Sequence, residues 1–318
     1  MRLKLAALLS FLAFPVAGDV PKVVTDVAPV HSLVAQIMQG VGEPDVLLPP
    51  GASPHDFSLK PSQARTLQNA DLIVWVGPDL APWLGGVLGN VAQSADMVTL
   101  SDAAGTRVLP YRDEALFDDE EHDDYGHETH DDHGHEAHDG HDHDPHMWLD
   151  PENAKVWLVA IAEAMSEMDP ENASTYKANA QTATDRIDET AVAIAKALAP
   201  VAEKRFVVFH DAYQYFEARF GLHSAGAISL GDAQSPSPSR IAQIRDAITD
   251  AQISCVFAEP QFSSSLVKTV SQGNHINVSI LDPLGVDLEI GPSFYTQLLM
   301  EMTTSIVSCL QEVGGTND

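Results

Sequence analysis

Short apolar runs and helix-period segments alternate along the chain. Residues 23–27, Val-Val-Thr-Asp-Val, form a short β run. Residues 32–38 place Leu33, Val34, Ile37 and Met38 on one side, which predicts a helix. Residues 45–48 read as a strand ended by Pro49-Pro50-Gly51, and residues 62–69 as a helix. Residues 72–76 are an uninterrupted apolar strand before Gly77-Pro78. The rhythm returns in the second half. There, strands are predicted at 205–209, 255–258 and 277–281, and helices at 239–249 and 293–310. Strands alternating with helices predict an α/β fold in which mainly parallel sheets are flanked by helices. Two such halves predict two similar lobes around a cleft.

One long helix separates the halves. Tyr176, Ala180, Ala183, Ile187, Ala191, Ile194 and Leu198 recur at steps of 4, 3, 4, 4, 3 and 4. Asp169 and Pro170 are placed to start the helix as N-cap and first residue, and Pro200 stops it. A helix of about 30 residues is near 45 Å long, enough to run the length of a two-lobed molecule. The expected organisation is an N-terminal lobe over 19–168, a rigid linking helix over 169–199 and a C-terminal lobe over 200–318.

The first residues change the picture of where the chain works. Arg2 and Lys4 precede a short apolar run at 5–14, and Val16-Ala17-Gly18 offers small residues for cleavage. This is the pattern of a secretory signal peptide over 1–18. No later stretch approaches the roughly 20 apolar residues of a spanning helix. The protein is expected outside the cytoplasm, in the periplasm. Its formal net charge of −29 repels phosphate backbones and attracts cations, so nucleic acid is excluded as a partner. In an oxidising compartment the two cysteines, Cys255 and Cys309, point to one structural disulfide.

Residues 113–144 break the α/β rhythm. They hold His and Asp/Glu in quantity and no Lys or Arg. Little apolar surface is available there to offset the entropy of ordering, so a disordered loop is expected. His127, His130, His133, His135, His138, His141 and His143 recur every two or three residues. They form a candidate auxiliary metal-binding set, weaker than a preformed site because the segment must be ordered around each ion.

Three other histidines lie in loops or at strand ends, where open α/β sheets place ligands. His55 follows Pro-Pro-Gly-Ala-Ser-Pro, His146 lies in Asp-Pro-His-Met-Trp-Leu-Asp-Pro, and His210 ends an apolar strand. Asp282 ends another. Neutral imidazoles with one carboxylate suit Zn²⁺. Asp56, Asp211 and Glu259 are candidates to accept the second N–H of a ligating imidazole. His31, His223 and His275 lack such context and read as structural.

The words LLPPGASPHDFSLKPSQ, DPHMWLDP, FHDAYQYF, CVFAEPQF and ILDPLG, with the acidic His-rich segment before the second, carry a specific resemblance. The chain resembles the ZnuA-type zinc-binding proteins of ABC importers over essentially its whole mature length. The resemblance implies two α/β lobes joined by one rigid helix, with Zn²⁺ between them. It puts the histidine ligands on His55, His146 and His210, a carboxylate on Asp282, and the disulfide on Cys255 and Cys309. Some zinc members carry an acidic residue just before the first ligand; Pro54 stands there in this chain, leaving Asp282 or a water as the fourth partner. The implied partner is a membrane ABC permease, with periplasmic zinc chaperones beside it, and the chain is expected to be monomeric and non-catalytic. Neither HExxH nor GxSxG occurs, which argues against a zinc hydrolase. A manganese or iron(II) binder of the same fold, or a metal-binding surface adhesin, is the alternative.

Overall fold

The computed structural model describes residues 20–112, 114–117, 143–229, 236–250, 253–262, 264–273 and 276–311. The signal sequence, six of the seven auxiliary histidines (all but His143) and His275 lie outside them. No helix among the described residues is long and apolar enough to cross a membrane.

The N-terminal lobe is built on β1 (Val23–Thr25), β2 (Asp45–Val46), β3 (Leu72–Trp75) and β4 (Asp96–Thr99), all parallel, in the order β2-β1-β3-β4. β3 is buried along its whole length, which is why its sequence is an unbroken apolar run. Helices α1 (Ala28–Ile37), α2 (Pro61–Gln68) and α3 (Pro82–Val91) connect the strands. Each carries Pro in its first turn, where no N–H is missed. With Pro29 in its first turn, α1 starts at Ala28, before the predicted residue 32.

Two antiparallel helices follow. In α4 (Pro151–Met168) the Asp150 side chain caps the N–H of Glu152 at 2.9 Å, with Pro151 as first residue. The long helix α5 is Ala173–Leu198, 26 residues and ~39 Å. It begins later than the pattern predicts, because Asp169 does not cap it. The Asp169 carboxylate instead accepts from Asn172 Nδ2 and Tyr176 Oη, both at 2.7 Å, and holds a turn between α4 and α5. The buried stripe of α5 is Tyr176, Ala180, Ala183, Ile187, Ile194 and Leu198.

The C-terminal lobe repeats the first sheet. β5 (Arg205–His210), β6 (His223–Ser229), β7 (Cys255–Ala258) and β8 (Asn277–Ile280) are parallel in the order β6-β5-β7-β8. Helices α6 (Gln214–Phe220), α7 (Pro238–Asp250), α8 (Ser264–Ser271) and α9 (Phe294–Gln311) complete it. Cys255 and Cys309 are bridged, tying β7 to α9. α9 packs against α5 and α1 as well, and one apolar core runs through both lobes. Both sheets reverse direction of growth beside their first strand, and such switch points open crevices at the strand C-terminal ends.

Candidate metal centre

His210 is the last residue of β5, the strand at the switch point of the second sheet. His55 lies in the loop after β2, behind a turn whose Gly51 takes φ +77°. The loop is pinned where Trp83 Nε1 donates to Pro54 O at 2.8 Å. His146 immediately precedes a single 3₁₀ turn, Met147–Leu149, and sits beside Trp148. Trp148 Nε1 donates across the cleft to Pro283 O at 2.9 Å.

These placements bring His55, His146 and His210 together, with one ring nitrogen of each within 4.8 Å of the others. His146 Nε2 and His210 Nε2 stand 3.3 Å apart. Two nitrogens bound to one tetrahedral Zn²⁺ at ~2.05 Å stand roughly 3.3–3.4 Å apart, so this pair already has the spacing of a zinc site. His146 and His210 are buried and His55 is partly exposed.

Two of the rings are oriented by carboxylates. His146 Nδ1 lies 2.7 Å from Asp144 Oδ1, and His210 Nδ1 lies 2.7 Å from Glu259 Oε1. When the two acids are ionised they only accept, so each Nδ1 carries the proton and each Nε2 is left to present a lone pair to the centre. Burial pushes Asp144 up to about 7, against the His146 backbone N–H and the charge of Arg112, which lower it. Burial also raises Glu259, opposed by its contacts with His210. A cation bound among the three rings would favour the ionised form of both. Phe262 stacks on Phe209 at 4.4 Å and meets the His210 ring edge-on, walling one side from water.

The other sequence candidates fall in different places. Glu259 stands 2.7 Å from His210 Nδ1. Asp211 turns away into an ion pair with Arg112. Asp56 is exposed. Asp282 is not a member of the three-histidine group; it accepts from Leu284 N at 2.9 Å, Val286 N at 2.6 Å and Gln261 Nε2 at 3.0 Å. Because that carboxylate fixes the amide nitrogen, Gln261 Oε1 points elsewhere; it is buried without a hydrogen-bond partner among the described residues, and Gln261 lines the histidine cleft. His143 sits at the rim of the acidic segment, 3.5 Å from Asp79. His31 is structural, bonded to Pro44 O at 3.0 Å.

Sequence reading missed Asp144. The signal was present in Asp-Pro-His: an Asp two residues before a histidine forms a local turn, here with Asp144 Oδ1 accepting from His146 N at 2.9 Å. Arg112 and Glu217, which surround Asp211, left no local signal.

Comparison with known proteins agrees with this geometry. The family model described as "Zinc-uptake complex component A periplasmic" matches residues 23–309. A high-affinity zinc uptake system protein ZnuA of Paracoccus denitrificans is 43% identical over 317 residues, covering 97% of each chain. The ZnuA of Brucella suis is 39% identical over 323 residues, covering 96% of this chain and 97% of the relative. A solved ZnuA structure superposes with a TM-score of 0.74 at 22% identity, covering 92% of this chain and all of that one. The matched span takes in both sheets, all three clustered histidines and the disulfide, and the chain therefore belongs to the ZnuA family of periplasmic zinc-uptake components.

Proposed function

We propose that the protein captures Zn²⁺ in the periplasm at His55, His146 and His210 and delivers it to a membrane ABC permease. The carrying observation is the donor set: three imidazoles converge, and two present Nε2 lone pairs 3.3 Å apart while carboxylates hold their Nδ1 protons. That nitrogen-rich set suits Zn²⁺, whereas Mn²⁺ favours carboxylate oxygens. The carboxylates described at the cleft are engaged, Glu259 by His210 and Asp282 by backbone N–H groups, and the ion is read as cargo rather than as a catalyst. Asp282 is the carboxylate proposed for the fourth position; a water accepted by Gln261 Oε1 is the alternative, since Asp282 already serves two backbone N–H groups.

The test is competition among Zn²⁺, Mn²⁺ and Fe²⁺ for chelator-stripped protein. Tight, zinc-selective binding at one site supports the reading, and preference for Mn²⁺ overturns it. The His-rich segment is proposed as an auxiliary capture device that raises zinc concentration beside the cleft. Deleting residues 118–142 should then keep one tight ion, remove the weaker ones and slow capture from a chelator.

A further inference from the structure

Four residues of the acidic segment, 114–117, have defined places on the far lobe. Pro110 bridges His143, and Leu109 N donates to Tyr215 Oη at 2.9 Å. The chain then crosses to β6, the edge strand of the C-terminal sheet. Leu116 forms an antiparallel bridge with Gly226, Phe117 N donates to Ala225 O at 3.0 Å, and Ala227 N donates to Ala115 O at 3.2 Å. Residues 114–117 are thus a strap that closes the edge of the sheet. Gly226 is required there, because a Cβ would stand 2.1 Å from Ala115 O.

Three arginines hold the strap, in a chain with a net charge of −29 and 17 Lys and Arg in all. Arg240 Nη2 donates to Glu114 O at 2.9 Å and Arg205 Nη2 to Phe117 O at 3.4 Å. Arg112 points inward. Its Nε donates to Asp211 Oδ2 at 2.8 Å, its Nη2 pairs with Asp211 Oδ1, and its Nη1 donates to Glu217 Oε2 at 3.1 Å. Its guanidinium lies 3.7 Å over the Phe117 ring. Asp211 and Glu217 are buried, so losing Arg112 would remove the counter-charge of two carboxylates.

Asp211 directly follows His210. The three clustered histidines come from both lobes, His55 and His146 before α5 and His210 after it. We propose that Arg112, held by the strap, is a positioning residue that latches the His210 corner against the N-terminal lobe and sets the rate of metal release. This rests on the three-histidine reading of the site.

The experiment uses the full-length protein loaded with Zn²⁺ and stopped-flow transfer to a chelator. Arg112→Gln removes the charge, and Gly226→Ala dislodges the strap without touching an ion-pair residue. Each should speed dissociation about tenfold or more with association unchanged, since release rates carry most differences between related complexes. Arg112→Lys should restore part of the effect, because it keeps the charge and loses the two-pronged fork. Should Arg112→Gln fail to fold, Gly226→Ala decides alone. Unchanged rates in Gly226→Ala overturn the latch. His210→Ala, run alongside, separates the two readings: tight binding retained there overturns the metal site and the latch together, whereas its loss with unchanged release in Gly226→Ala overturns the latch alone.

Discussion

Asp144 stands two residues before His146 and serves it twice, its Oδ1 accepting from the backbone N–H at 2.9 Å and facing Nδ1 at 2.7 Å. Glu259 does the same for His210 from just beyond the end of β7, with Oε1 3.3 Å from the backbone nitrogen and 2.7 Å from Nδ1. Each carboxylate sets ring orientation and tautomer together. Asp144→Ala and Glu259→Ala are each expected to weaken zinc binding roughly 10–100-fold, the usual effect of removing such a partner. Asp56→Ala, at an exposed position, should leave affinity unchanged. Calorimetric titration of the three variants checks the contrast, and equal affinities across them would remove the roles assigned to Asp144 and Glu259.

Single alanine substitutions of His55, His146 and His210 should each abolish tight binding, since the proposed site takes its donors from these three clustered imidazoles. Asp282→Ala should weaken binding less. Water fills a vacated fourth position, and the present partners of Asp282 are Leu284 N, Val286 N and Gln261. Competition against a chelator of known strength measures all four. A loss in Asp282→Ala as large as in the histidine variants would make it a ligand of equal weight.

Bridging Cys255 to Cys309 closes a loop of sequence separation 54, for which chain entropy predicts about 4 kcal/mol of stability. Cys255 opens β7, and Glu259 follows its other end, so the bridge is remote from the metal cleft along that strand. The double variant Cys255→Ala/Cys309→Ala should unfold at lower urea and keep its zinc affinity. Lost affinity in the folded variant would give the bridge a part in the site.

Asp26 offers a pH signature in the metal-free protein. Its carboxylate is buried at the end of β1, accepting from Val27 N and Val76 N, both at 2.8 Å. Burial pushes it up to about 6 from 3.8, and the backbone N–H groups only partly offset this. The folded state therefore holds the proton more tightly than the unfolded one. This group's contribution is fully present below about pH 4 and is lost as pH rises to about 6. Urea unfolding across that window should show wild type losing stability relative to Asp26→Asn as pH rises. Parallel curves would show that the fold does not raise Asp26 above its unfolded value.

Legibility in the sequence followed local self-sufficiency. β3 and β5 announce themselves because strands buried on both faces must be apolar throughout. The stripe of α5 is visible because one face is buried along its length. By contrast β6, His-Ser-Ala-Gly-Ala-Ile-Ser, hides because small residues let the strap and α7 approach it. α3 hides because Gly85, Gly86 and Gly89 have poor helix propensity, which tertiary packing of Leu84 and Leu88 overrides. The clustered histidines were readable from motif words. Arg112 and Glu217 were not, because their pairing spans 105 residues and no sequence window holds both.

The contact of α9 with α1 bears on when the chain can fold. Ser32 Oγ, in the first helix, donates to Pro292 O at 3.2 Å and accepts from Tyr295 N at 3.0 Å, at the start of the last one. The N-terminal core is therefore unfinished until the final helix is available to cover it. Domains ordinarily fold in the order they are made. Here the first lobe is completed by the last helix, so the two ends of the chain finish one core together.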